Sequence, residues 1–233
     1  MQAAILAGGL GTRLRPLTEK VPKAMVPVDG RPFLEYEIQL LKSNSVNDIV
    51  LCVGYLGDQI EGHFGDSKRF GVKIRYSHDG KELLGPIGGL KAAEPLLDDQ
   101  FFVTYGDSYL RTDYAGMMAS LRLGKKLGVM AVFRNEGRFG KSDIIAKDGL
   151  VTAYDKKETR PGMVWVNFGV TALRREALSR VEPGRFCDEV SFYGGLVAER
   201  QLVAYETFDR FYEIGSPEGL REFSHFIIKH ASY

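Results

Sequence analysis

With 233 residues and 44% hydrophobic content, the chain is long enough to bury a large core and fits one domain, or one domain with a small insertion. Its 31 basic and 30 acidic residues are interspersed and leave a net charge of +1, which argues against nucleic-acid binding. Cys52 and Cys187 stand in unrelated settings and read as reduced thiols; no CxxC or HExxH spacing supports zinc, and nothing at the N-terminus marks secretion or membrane insertion, so a cytoplasmic location is expected.

In chain order, the apolar run Ala3-Ala4-Ile5-Leu6 predicts a buried first strand, and behind it Gly8, Gly9 and Gly11 fall within four positions, followed by Thr12 and Arg13. Glycines let successive backbone N–H groups turn inward without a Cβ in the way, which makes a concave nest for a polyphosphate. Arg13 adds a planar fork and Lys23 a compact ammonium, both suited to phosphate oxygens. The spacing is neither the G-x-G-x-x-G of a dinucleotide fingerprint nor the G-x-x-x-x-G-K-[ST] of a P-loop. Pro16 and Pro22 oppose a helix directly behind the glycines, so a long irregular loop is expected. The plain alternative is a glycine-rich turn with two solvated cations.

Residues 6–23, LAGGLGTRLRPLTEKVPK, followed by Ala24-Met25-Val26-Pro27-Val28, closely resemble the signature of the sugar-1-phosphate nucleotidyltransferases, LAGGxGTRLxPLTxxxPKxMxPV. The resemblance implies an enzyme that joins a nucleoside triphosphate to a sugar 1-phosphate, giving a nucleotide sugar and pyrophosphate with Mg²⁺ as cofactor. It implies nucleotide contacts from Leu6, Ala7, Gly8, Gly9, Gly11, Thr12 and Arg13, with Lys23 between the two substrates.

Beyond the loop, residues 33–42 carry apolar positions at helical spacing, 48–53 (DIVLCV) reads as a strand, 57–64 as a helix and 72–76 as a strand ending in the Asp79-Gly80 turn. This is a doubly wound α/β pattern. Together with the resemblance it implies a Rossmann-like three-layer α/β/α fold with a mixed, mainly parallel central sheet. One domain is expected, with a nucleotide-binding half over about residues 1–112 and a sugar-phosphate half over about 113–233.

Leu84-Gly85-Pro86-Ile87-Gly88-Gly89 leads into a helix ending near Pro95 and is similar to the family's base-contacting segment, with Pro86 where a threonine is usual. The resemblance assigns base contact to Gly88 and puts Gly85 among the nucleotide-binding residues. Glu82, just upstream, is a candidate acceptor for guanine N–H groups and equally an exposed loop carboxylate. Strand 100–105 ends in Gly106-Asp107-Ser108, which places an acid where open α/β sheets bind ligands. It resembles the family's metal-binding Gly-Asp, so Asp107 is the first candidate for Mg²⁺.

In the second half, 113–126 reads as a helix, 129–134 as a strand, and 142–146 with 150–154 as a hairpin around Asp148-Gly149. Phe139-Gly140, Asp155-Lys156 and Val166-Asn167-Phe168-Gly169 resemble the family's sugar-binding segments and imply sugar-phosphate contacts from Gly140, Asp155, Lys156, Asn167 and Gly169. The register leaves Lys157 open as the equivalent lysine, and surface charge is the plain reading of the Asp155-Lys156 pair. Asn167 inside a strand needs a polar partner. Trp165 reads as core, with sugar stacking as the alternative. Glu213-Ile214-Gly215-Ser216-Pro217-Glu218 resembles an Asp-Ile-Gly-Thr-Pro-Glu segment, with Ser216 capping the last helix, 218–230. The family carries a metal-binding aspartate where this chain has Glu213; glutamate keeps the hard donor and reaches one methylene further.

No nucleophile with an adjacent base is evident, and transfer between phosphates needs none, so Arg13, Lys23 and Asp107 are the expected catalytic groups. The compact chain resembles the short D-glycero-D-manno-heptose-1-phosphate and mannose-1-phosphate guanylyltransferase-like branch, which favours GTP. Uridylyl or cytidylyl transfer, a non-catalytic sensor of the same fold, and a homodimer stay open; a dehydrogenase ranks last because its glycine spacing is wrong.

Overall fold

A computed structural model describes residues 1–65, 68–80, 82–167 and 169–230. The apolar runs at the front of the chain form β1 (Gln2–Leu6), β2 (Asp48–Val53), β3 (Lys73–His78) and β4 (Gln100–Tyr105). The second half supplies β5 (Gly128–Arg134), β6 (Ile144–Lys147), β7 (Leu150–Tyr154), β8 (Trp165–Val166), β9 (Thr171–Arg174) and β10 (Leu202–Thr207). They make one ten-stranded sheet in the order β8-β6-β7-β10-β5-β9-β4-β1-β2-β3, with β8 also pairing β5. Neighbours are parallel through β4-β1-β2-β3 and at β5-β10. The other six pairings of this sheet among the described residues are antiparallel, so the sheet is mixed but not mainly parallel as expected, and its parallel pairing is concentrated in the first half of the chain.

Strand side chains alternate between the two faces, and helices cover both. On one face Ala3 and Ile5 pack under α1 (Phe33–Ser43), α2 (Gly57–Phe64) and α4 (Tyr114–Leu123) through Leu34, Ile60 and Met117. On the other, Ala4 packs with Ile87 and Leu90 of α3 (Gly85–Ala92) and Phe192 and Leu196 of α5 (Glu189–Ala198). Side-chain caps set two helix starts: Asp113 and Asp188 accept from Gly116 N and Ser191 N, both at 2.8 Å. Helix α4 stops at Leu123, short of the expected 126, because Gly124 turns extended and the chain enters β5 at Gly128.

The sequence pattern did not predict β9 or β10. Strand β9 inserts between β4 and β5, and β10 runs beside β5 after the α5 crossover. Strand β9 thereby joins the halves into one sheet, and β10 links β5 to the β6-β7 hairpin.

The last helix, α6 (Pro217–His230), builds a third cluster. Its Phe223 ring is fully buried, 4.9 Å from Phe33 and 5.1 Å from Tyr109. Burying such a ring stabilises the fold by about 1.5–3 kcal/mol. It also pins a two-stranded ribbon, Ser108–Tyr109 against Tyr212–Glu213, beside the C-terminal end of β4. No helix among the described residues is long and apolar enough to cross a membrane.

Candidate active site

Strand order reverses between β1 and β4: β2 and β3 continue on one side of β1 while β4 lies on the other, all parallel. Open α/β sheets bind ligands in the crevice at that point. Here the loops behind β1 and β4 touch. Gly106 N donates to Leu6 O at 2.9 Å, and a Cβ on Gly106 would lie 3.1 Å from the Cβ atoms of both Ala7 and Ala24, so the close approach favours glycine.

The glycine loop is irregular, as expected, and is tied by short 3₁₀ turns at Thr12–Leu14, Leu17–Glu19 and Lys23–Met25. Gly11 adopts φ +61, and a Cβ there would press on Thr18 Cγ2 at 3.0 Å and Lys23 Cβ at 3.1 Å. The buried Thr18 hydroxyl closes the loop by donating to Gly11 O at 2.8 Å. The fold thereby brings Lys23 back beside Gly11 and into an ion pair with Asp107. A Cβ on Gly215 would lie 2.8 Å from both Arg13 Nη2 and Lys23 Nζ and next to Glu213 Oε2, so these three side chains converge on one point.

Two cavities meet there. A cavity of about 320 Å³ is lined by Leu6, Ala7, Gly8, Gly9, Gly11 and Gly85, and also by Lys23 and Asp107. A second, of about 580 Å³, is lined by Arg13, Asp107, Gly140, Lys156, Asn167 and Gly169, with Glu213. Asp107 and Tyr105 belong to both walls.

Most of the residues singled out in the sequence fall on these walls, and four do not. Thr12 is exposed and opens a 3₁₀ turn off both cavities. Glu82 is exposed on neither wall. Gly88 is buried against the neighbouring chain segment, where a Cβ would lie 2.6 Å from Arg185 O; Gly89 holds the wall position instead. Asp155 is taken up by its own turn, accepting from Lys157 N at 2.8 Å, Glu158 N at 3.1 Å and Arg160 Nη2 at 3.0 Å. Those backbone N–H bonds hold its carboxyl below the usual carboxylate range. The turn presents Lys156, which lines the larger cavity and pairs with Glu189, whereas Lys157 does not line it. Trp165 is half-buried and packs on the core. Phe168 lies outside the described residues.

The loop before β6 is organised by Asn135, fully buried. Its amide donates to Gly140 O at 2.9 Å and Ser142 Oγ at 3.1 Å, and its Oδ1 accepts from Phe139 N at 2.9 Å. Gly140, at φ +86, faces open space. Gly169 has a different reason to be glycine: at φ +106 a Cβ would strike Ser108 Cβ at 2.8 Å. Asn167, on the cavity wall, spans these parts by accepting from Gly169 N at 3.2 Å, while its buried Nδ2 has no hydrogen-bond partner among the described residues. A buried donor of this kind calls for an acceptor from a ligand or water.

Several wall residues of the larger cavity were not foreseen, among them Arg138, Asp143, Glu189 and Arg210. Asp143 accepts from Asn167 N at 3.4 Å, and burial pushes its carboxyl up to about 6, against the opposing pull of Lys156. The Arg210 guanidinium lies 4.2 Å over the Phe139 ring and pairs with Glu222. None sits in a recognisable motif. In the smaller cavity Asp79 and Phe186 were also missed; the Asp79-Gly80 dipeptide signals only a turn.

Magnesium accepts one or two carboxylates plus substrate phosphates. Asp107 and Glu213 suit that pattern: Glu213 pairs with Ser108 in the ribbon, and Ile214 N donates to Asp107 O at 2.9 Å, so both acids stand at the junction of the cavities. Glu213 accepts from Gly215 N and, at 2.7 Å, from Ser216 Oγ at the start of α6. Each of its oxygens keeps a lone pair. Among the described residues no group of three metal-binding side chains assembles, so an all-protein cage is not the geometry on offer.

The sequence profile described as "Nucleotidyl transferase" matches residues 2–153. A UTP–glucose-1-phosphate uridylyltransferase from Synechocystis is 37% identical over 56% of this chain and 36% of its own length. A mannose-1-phosphate guanylyltransferase catalytic subunit beta from Xenopus tropicalis is 31% identical over 94% of this chain and 62% of its own. The chain thus spans less than two thirds of each of these two relatives. It spans 99% of the D-glycero-alpha-D-manno-heptose 1-phosphate guanylyltransferase of Campylobacter jejuni, at 28% identity over 98% of this chain. The crystal structure of HddC from Yersinia pseudotuberculosis complexed with GMP-PN superposes with a TM-score of 0.79 and 26% identity, covering 97% of this chain and 99% of that one.

Proposed function

The chain belongs to the nucleotidyl transferase family, and on that premise we propose that it joins a nucleoside triphosphate, GTP by preference, to a heptose or hexose 1-phosphate, releasing pyrophosphate. The observation that carries this reading is the pair of cavities sharing Asp107, with Lys23 ion-paired to it and Arg13 converging on the same point. A glycine-lined cavity suits a triphosphate. The larger cavity, with Lys156 among carboxylates and Asn167, suits a polyhydroxylated ring bearing one phosphate.

The acceptor phosphate is already anionic and attacks the α-phosphorus in line, so this chain's work is positioning and charge neutralisation. Amides of residues 8–12 and Arg13 hold the triphosphate and the departing pyrophosphate. Lys23 exchanges its Asp107 partner for the two phosphates and keeps them together, while Lys156 and Asn167 orient the sugar phosphate. Asp107, with Glu213, would hold Mg²⁺, which when bound neutralises charge accumulating on the phosphates. The protein works in the cytoplasm, without membrane or nucleic-acid partners, in a three-layer α/β/α fold; a homodimer is compatible with this scheme.

Pyrophosphate release with Mg²⁺, crossing five triphosphates with a panel of hexose and heptose 1-phosphates, tests the reading. Release confined to one triphosphate and one sugar phosphate is expected. Nucleotide binding without release from any pair would favour a sensor.

A further inference from the structure

The smaller cavity contains a carboxylate that phosphate chemistry does not use. Asp79 follows β3, on the wall formed by Gly8, Gly89 and Leu83. Three glycines clear the space around it: a Cβ would lie 2.8 Å from Oδ1 at Gly89, and 2.9 Å and 3.4 Å from Oδ2 at Gly54 and Gly8. The nearby Leu84 backbone N–H partly offsets the burial of its side chain, and no lysine or arginine among the described residues pairs with it. Burial raises its carboxyl above the usual range. A half-buried carboxylate with so few donors is costly unless a ligand supplies N–H groups.

Across the same cavity stands Phe186, 69% exposed yet held in place. Cys187 N donates to Leu84 O at 2.9 Å and Ile87 N to Cys187 O at 3.1 Å, so a loop from the second half is clamped onto the start of α3. The ring lies so close to Gly85 that a Cβ there would meet it at 2.8 Å. An exposed phenyl in a clamped segment, facing a cavity with leucine on its walls, offers a flat surface to a flat ring.

We infer that Asp79 selects guanine, accepting from its N1–H and exocyclic amino group, while Phe186 covers a face of the base. This rests on the nucleotidyl-transfer reading and names its base. Guanine is the base that offers two adjacent N–H donors to one carboxylate. Uracil and thymine set a single N–H between two carbonyl oxygens, which repel the anion, and adenine and cytosine place a ring acceptor beside their amino group.

The test compares kcat/KM for GTP, ITP, XTP and UTP with wild type and Asp79→Asn, at a saturating sugar 1-phosphate that supports release. Wild type is expected to prefer GTP to ITP, which lacks the exocyclic amino group, by about 10- to 100-fold. In Asp79→Asn the amide can donate to the C2 carbonyl of xanthine, so XTP should overtake GTP, with GTP falling on the order of 100-fold. Equal use of GTP and ITP by wild type, a preference for UTP, or retained GTP preference in Asp79→Asn would each overturn the inference while leaving nucleotidyl transfer standing. If no triphosphate reacts with any sugar phosphate, the transfer reading fails, and calorimetric binding of GTP against ITP to wild type then decides the role of Asp79: equal affinity refutes it.

Discussion

The two cavities are built by different means. The smaller cavity is mostly backbone: glycines at 8, 9 and 11 line it beside a strand-end contact at Gly106, and short 3₁₀ turns with a closing bond from Thr18 hold the shape. The larger cavity is mostly side chains, drawn from segments around residues 140, 156, 167, 189 and 210 and held by a network through Asn135, Asn167 and Glu189. A backbone site recognises what all triphosphates share, whereas a side-chain site can be respecified one residue at a time. At the junction Lys23 and Asp107 belong to neither style and, in the proposed transfer, carry the chemistry.

That division is sharpest at the junction. Lys23→Ala and Asp107→Asn should each lower kcat on the order of 100-fold or more, because a positioned charge at the reacting centre is lost. Thermal melts should show the fold intact, and Asp107→Asn should also lose magnesium dependence; activity within about threefold of wild type would remove either residue from the mechanism.

Smaller effects should separate the two sides. Gly11→Ala forces a Cβ into φ +61 against Thr18 and Lys23 and should raise the GTP KM about tenfold. Lys156→Met should raise the sugar-phosphate KM about tenfold while shifting the GTP KM by no more than about twofold. Crossed effects would break the comparison.

The smallest effect concerns stability. Asp143 is neutral below its unfolded pKa of about 4, and burial lifts its folded value to about 6. Its neutral form is favoured in the fold, so this contribution is fully present below about pH 4 and is lost as pH rises through about 6. Asp143→Asn should therefore gain on the order of 1 kcal/mol at pH 8 and nothing at pH 4, read from urea midpoints.

The contrast also explains what was legible in the sequence. Backbone geometry is local, so Gly8, Gly9, Gly11 and the Gly106-Asp107 strand end could be placed from spacing, and the helix and strand runs of the first half from periodicity. Asp155 fitted a motif by type, but three hydrogen bonds of its own turn outweigh the cavity, and Glu189, from a helix 33 residues on, faces Lys156 instead. That pairing depends on β7 lying under α5, which no spacing encodes. Strand β9, four residues behind an irregular segment, carries too few positions to show a period. Gly88 and Gly89 differ only in which side of α3 meets the loop from the second half.

The claim that both cavities serve one direct transfer is tested by isotope exchange. Labelled pyrophosphate should enter GTP only when a nucleotide sugar or its sugar 1-phosphate is present, because no nucleotidyl group rests on the protein. Exchange in the absence of any sugar substrate would reveal a covalent nucleotidyl-enzyme and contradict the account.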